Sequence, residues 1–465
     1  MSCAVAAYSS LALRASSEKA KSECYTSPMF HRFLFCGFLL LLGSSSANAQ
    51  APLQQAQELR RQADAKAFAA DWAAAIASYD EALRISPHDL AAEIGLAQAY
   101  RGVHNYAEAK QILERARAEH TQSAKPLAAL GDLEIELQTY DAAIAHLRAA
   151  LAIAPSDVES RNRLAVAYQA KGDLDSALAQ IAKVLARDPR NALAYYTRAK
   201  IYSDRNQDAA ALPDATKVVE LQPRNPRGRL LLGKILLRAP QGESPEQTKE
   251  RCRRAVATLE PLLEMPAEDS ETLFLLSRAY ECTGASEQAH KTLLAFEASS
   301  KNDRETKENQ TQAKHLVQQA NELALKNDFA GSLDLLQQAI AKDATYGAAY
   351  SQLAKLYYSA GDIEKASESI SKALEHDPYQ PEFLYVQGKI FEKQGKLDEA
   401  LGAFQRTTIV NPKESDAFFE VGVIHEQRGE RERALAAYKK AATLSPDDPE
   451  YQRALGALAG HAAKP

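Results

Sequence analysis

Three stretches of this chain carry residue types that do chemistry elsewhere, and the first two break their pattern at the deciding position. Gly228-Arg229-Leu230-Leu231-Leu232-Gly233-Lys234 supplies the glycines and lysine of a phosphate-cradling loop, but Ile235 stands where a hydroxyl should reach magnesium. The run is also apolar and helix-phased, so its backbone donors are used internally. His425-Glu426 begins like a zinc-protease helix, yet Gly429 occupies the place of the second histidine. The remaining histidines are dispersed without ligand spacing. Serines and acids cluster at helix ends, where capping explains them. The expectation is a non-enzyme with no cofactor and no metal. The third stretch is a column of cations beside aromatics, visible only once the elements carrying it are laid out.

Those elements repeat. Nine slots 34 residues apart hold Pro87, Thr121, Pro155, Pro189 and Pro223, then Ala344, Pro378, Pro412 and Pro446. Twelve residues before each slot stands an alanine, from Ala75 to Ala434, with Ser332 the one exception. Five residues before it the side chain is again small, from Ala82 to Ala441. Such a period means stacked helix pairs that approach closely at the small residues. The fifteenth residue is Gly172, Gly284, Gly361, Gly395 or Gly429 in five units and Asn206 or Asn327 in two. These tolerate the left-handed conformation that ends a first helix, and Asp173 or Asp362 then caps the next. The frame divides the chain into units one to seven over 56–303, with an insert loop at 239–248 around Pro240 and Pro245. A polar connector follows at 304–312, then units eight to eleven over 313–448 and a capping helix at 449–460.

Leu130-Gly131, Ala143, Leu147, Ala150 and Pro155 make one complete unit, and Gly388, Phe391, Ala400, Phe404 and Pro412 make another. With these residues the chain resembles the tetratricopeptide repeat family, although the tryptophan common near the start of family units is missing and Trp72 falls in a second helix. The resemblance implies an all-α, right-handed superhelical α-solenoid of about eleven helix–turn–helix units. It also implies that the first helices line a concave groove for extended peptides or partner helices.

The ninth residue of each unit then gives the informative column. It is acidic or neutral early and becomes basic at five of the six places from the fifth unit to the tenth, as Lys200, Lys234, Arg278, Lys355 and Lys389. The fifth residues add Tyr196, Phe274, Tyr385 and Phe419, and Arg227 extends the stripe. Cations interleaved with aromatics suit an acidic or extended peptide segment. A Lys–Asn clamp for a terminal carboxylate is not matched, because Asn162 and Asn321 stand apart from such an arrangement. The net charge of −5 gives no general argument for nucleic acid.

The N-terminal 1–49 reads as a signal-peptide region. His31-Arg32 precedes the apolar run Phe33–Leu42, and Ala47-Asn48-Ala49 offers a cleavage site, with Met29 an alternative start. Ten apolar residues cover about half a bilayer core, so no transmembrane anchor is expected after cleavage. Removal of 1–49 leaves Cys252 and Cys282, an even number in an oxidising compartment. In the implied architecture they sit at neighbouring helix ends and form a disulfide; two buried reduced thiols are the competing reading. The expected function is an exported, non-catalytic scaffold, periplasmic or extracellular, that binds protein segments in its groove. A cell-envelope assembly or secretion component, and the regulatory array of an enzyme on another chain, are the alternatives.

Overall fold

The computed structural model describes residues 43–238, 242–265 and 270–460. The chain divides into two compact units at Leu53/Gln54. Of the first, the described part is helical; the apolar run Phe33–Leu42 lies outside the described residues, and Ala47–Ala49 falls within the first helix.

The described elements are all helices. Helix α1 (Gly43–Phe68) pairs with α2 (Trp72–Ile85) as unit one, α3 (Leu90–Gly102) with α4 (Tyr106–Glu119), α5 (Lys125–Glu136) with α6 (Tyr140–Ile153), and α7 (Val158–Lys171) with α8 (Leu174–Arg187). Unit five is α9 (Ala192–Asp204) and α10 (Asp208–Leu221); unit six is α11 (Pro226–Leu236) and α12 (Pro245–Leu259), followed by a 3₁₀ turn at Glu260–Glu264. Then come α13 (Ser270–Thr283), α14 (Ser286–Leu325) and α15 (Phe329–Lys342). Units nine to eleven are α16 (Gly347–Ala360) with α17 (Ile363–His376), α18 (Pro381–Lys393) with α19 (Leu397–Val410), and α20 (Ser415–Gln427) with α21 (Arg431–Leu444), closed by α22 (Pro449–Gly460). Each helix packs on its sequence neighbour, which makes the array an α-solenoid.

The small-residue columns are where the helices press together. Ala75, Ala109, Ala143, Ala366, Ala400 and Ala434 are wholly buried, and so are Ala82, Ala150, Thr407 and Ala441. Gly388 shows how close the approach is: a Cβ there would stand 2.5 Å from the Phe404 ring. The turns follow the glycine and asparagine pattern, with φ of +91° at Gly172 and +57° at Asn206. Units one to three make the same turn with Ala70, His104 and Gln138, at φ of 58° to 59°. Those residue types do not announce a left-handed turn, so only the period marks the place. Asp173 and Asp362 accept from the backbone N–H of Ser176 and Lys365, as capping requires.

Two expected boundaries are corrected. The stretch 304–312 is not a separate connector but the middle of α14, a continuous 40-residue helix that fuses the second helix of unit seven to the first of unit eight. Arg304 to Gln312 contains no glycine or proline, so nothing stops the helix. Within the insert loop at 239–248, residues 245–248 are the first turn of α12. Ser244 and Gln247 cap it reciprocally, with Pro245 at the first helical position where its missing donor is not needed. Residues 239–241 lie outside the described residues.

The solenoid also meets itself. The Tyr379 hydroxyl donates to Ala70 O at 2.7 Å and accepts from the Trp72 backbone N–H at 3.2 Å. Asn105 Nδ2 donates to Val410 O at 2.9 Å. One apolar cluster includes Ile76, Leu113 and Val103 from units one and two together with Leu384 and Val410 from unit ten. A cleft of about 560 Å³ runs along this seam, between His104–Asn105 and His376–Pro381.

Candidate protein-binding face

The first helices carry every residue of the cation–aromatic column, and packing decides what each is free to do. Lys234 of α11 lies 2.7 Å from Glu271 of α13. Lys355 of α16 pairs with Glu382 of α18. Lys389 of α18 lies 3.0 Å from Glu420 of α20 and 2.5 Å from Glu392. Three of the five cations therefore brace one first helix to the next. Lys200 pairs within its own helix, 3.1 Å from Asp204. At Lys389, burial pulls the ammonium pKa down, but its bonds to Glu392 and Glu420 more than offset this and leave it raised. Burial also raises Glu420, against the pull of Lys389.

The aromatics divide in the same way. Phe419 stacks on Tyr451 at 4.9 Å and tilts against Tyr438 at 5.4 Å, closing the core beneath α22. Tyr385 packs 5.5 Å from Phe404 and directs its hydroxyl to Glu420. Tyr196 borders the apolar cluster of units five and six. Phe274 differs: 39% of it is exposed, its ring lies 5.2 Å from Phe296, and the Arg278 guanidinium sits 5.9 Å above it. Among the described residues no carboxylate lies within ion-pair distance of Arg278 or Arg227, and both are exposed. The stripe thus contracts to a corner on α13, made of Phe274 and Arg278 with Phe296 behind.

Sequence reasoning missed Glu271 and Glu382, the partners that occupy two of its cations. Both stand second in the unit after their lysine, so the shared frame held the signal. Phe296 was missed because it lies on a second helix.

Cys252, buried in the middle of α12 rather than at a helix end, and Cys282, at the end of α13, face each other with Cα atoms 5.9 Å apart and are joined by a disulfide. Gly228–Lys234 lies inside α11 with Gly228 packed against Val218, so its backbone cradles no phosphate. His425 is buried against Glu430. Glu93, Glu119 and His120 bring one potential metal ligand each within 4.8 Å of one another. Glu93 Oε2 is held by His120 at 3.1 Å and Glu119 by His88, while Arg115 stands 3.6 Å from Glu93 Oε1 as a charge partner without a hydrogen bond. The same buried glutamate with a histidine and a cation recurs at Glu134, His146 and Lys110 with no third ligand, which marks a structural ion pair. Among the described residues no helix is long and apolar enough to cross a membrane.

Comparison with known proteins bears on the whole array. A tetratricopeptide repeat profile matches residues 69–133, 134–201 and 323–390, and a second profile of that family matches 385–449. Together they cover more than half of the chain. Among solved structures, a crystal structure of MamA is 23% identical over 31% of this chain and 84% of its own, with a TM-score of 0.29. The crystal structure of the APC/C hetero-tetramer Cut9–Hcn1 is 15% identical over 88% of this chain and 91% of its own, with a TM-score of 0.31. Neither likeness carries an argument here. No curated protein matches the chain. The repeat frame, the helix pairing and the profile matches agree, and the chain belongs to the tetratricopeptide repeat family.

Proposed function

We propose that this scaffold binds an extended protein segment along its first-helix face, anchored at Phe274 and Arg278. The anchor segment carries an apolar side chain followed by a carboxylate. The observation behind this reading is that Phe274 is an exposed aromatic with a guanidinium over it that has no carboxylate partner among the described residues, while the other cations of the column are occupied. An exposed aromatic beside arginine is the chemistry enriched where interfaces concentrate their affinity. Exposed lysine pairs elsewhere on the face are worth only about 0.2–1 kcal/mol each, so an acidic segment can exchange with them.

The binding test is an anisotropy titration with a fluorescein-labelled peptide alternating glutamate and leucine. Phe274→Ala weakens binding with little salt dependence. Arg278→Glu weakens it most at low salt, because attraction between exposed charges is screened over about 10 Å at 0.1 M. Equal binding by both variants and the wild type would remove this corner as the site.

The compartment belongs to the same proposal. The basic flank, apolar run and Ala-x-Ala ending support export, and N-terminal sequencing of the protein from its host would find Gln50 first. Recovery of intact residues 30–49 on soluble protein from inside the cell would overturn it.

A further inference from the structure

We propose that the seam is a latch and the exposed middle of α14 its hinge, so that the solenoid is a ring that opens and closes without unfolding. This extends the groove reading, on which only its consequence for ligand entry rests.

Units one to seven and units eight to eleven are joined covalently through α14 alone. Residues 301–308 of that helix are all exposed, and Lys307 lines an open cleft with Asp343, Thr345, Tyr346 and Asp377 rather than packing into a core. Long helices curve gently along their length, so a small bend spread over this exposed stretch, without a kink, is enough to part or close the far side. On the far side, the two arms touch at the seam. The polar groups held there are ones that water satisfies equally well: Trp72 N–H is a free donor at a helix start, Ala70 O belongs to a turn, and Val410 O, which accepts from Asn105, is a helix-end carbonyl. Parting the seam therefore leaves no buried group orphaned, and each unit keeps its own turn and cap. Val410, Val103 and the flanking rings hold the closed state by burial.

The sequence marks the contact as particular to these units. Tyr379 follows the proline slot directly, where the other units carry His88, Gln122, Ser156, Arg190, Lys413 and the like, so it is the one aromatic at that place. Trp72 is the only tryptophan of the chain and packs flat over Gly102, where a Cβ would lie 2.3 Å from the indole. The tryptophan is thus a built-in reporter of the seam.

The test uses the full chain and two near-isosteric changes. Tyr379→Phe removes the bridging hydroxyl and keeps the ring. Asn105→Asp keeps the oxygen that caps α4 but replaces the donor to Val410 O with a carboxylate that repels it. In the double variant the Trp72 emission shifts to the red, acrylamide quenches it more strongly, and the radius of gyration from small-angle scattering rises. Far-UV circular dichroism stays at the wild-type value. Unchanged quenching and radius of gyration overturn the latch, as does a loss of helicity that tracks the emission shift. Tyr379→Phe alone, which disturbs no cap, gives an intermediate emission shift; no shift in this variant also counts against the latch. In the binding arm, the glutamate–leucine peptide associates faster with the double variant than with wild type. Equal association rates overturn gating by the latch. If the peptide binds neither protein while the Trp72 response is intact, the groove reading fails and the latch stands.

Discussion

Lys389 on α18 and Glu420 on α20 stand 3.0 Å apart, across the line where two successive first helices meet. In the folded chain each is a strut of the stack. The same relation holds for Lys234 with Glu271 and Lys355 with Glu382. A face rich in lysine is therefore much less basic than its composition.

Charge reversal separates struts from anchors. Lys389→Glu places a second carboxylate beside Glu420 and Glu392, and should lower stability by about 1–2 kcal/mol, between the limits for exposed and buried pairs. Arg278→Glu has no partner to lose and should stay within about 0.5 kcal/mol of wild type. Urea midpoints followed by circular dichroism decide it; equal losses at both positions would contradict the distinction.

Burial pushes the Asp80 carboxyl up to about 6, with Arg84 and Arg115 pulling it down and Glu108 pushing it up. A folded-state pKa above the unfolded value means that the native state holds the proton more tightly. The protonated acid thus stabilises the fold below about pH 4, and that contribution is lost as pH rises toward 6. Asp80→Asn should be more stable than wild type near neutral pH, by at most about 3 kcal/mol, and little different near pH 4. A gap that does not change with pH would mean that Asp80 is fully solvated.

Gly388→Ala sets helix propensity against packing. The new methyl should gain up to about 1 kcal/mol from propensity. Set against the Phe404 ring at 2.5 Å, it should lose about 1–3 kcal/mol from overpacking, for a net loss. Phe404→Leu in the same chain should recover part of that loss. If the single change raises the melting temperature, the two helices have room that the geometry denies.

The Cys252–Cys282 bond closes a separation of 30 residues and clasps α12, the helix after the insert, to α13. It should contribute roughly 3–4 kcal/mol in the chain-entropy treatment. Peptide mapping without reductant should recover the two cysteines linked, and reduction should lower the melting transition. Free thiols at both positions in protein recovered from its own host would count against it.

The period, the small columns and the turn glycines were legible because each is a local demand repeated in every unit. Ala143 and Ala400 had to be small wherever two helices cross, and Gly172 had to turn left-handed wherever one helix stops. The stretch 304–312 reads as a polar connector because it falls outside the repeat frame, yet a polar stretch without glycine or proline is free to remain helical. The occupied lysines were missed because a column read down one register hides partners in the next. The seam was the least legible. Whether Tyr379 reaches Trp72, 307 positions away, depends on the small rotations of every intervening unit added together.

An open stack of repeats has two ends, and each end unit lacks one neighbour's stabilising surface, so thermal fraying begins there. Here the first units rest against the ninth and tenth, and among the described residues α20 to α22 lie beyond the junction. The chain is thereby topologically one-ended. Amide exchange should accordingly run inward from the C-terminus, with α2 protected like an interior helix rather than a terminal one.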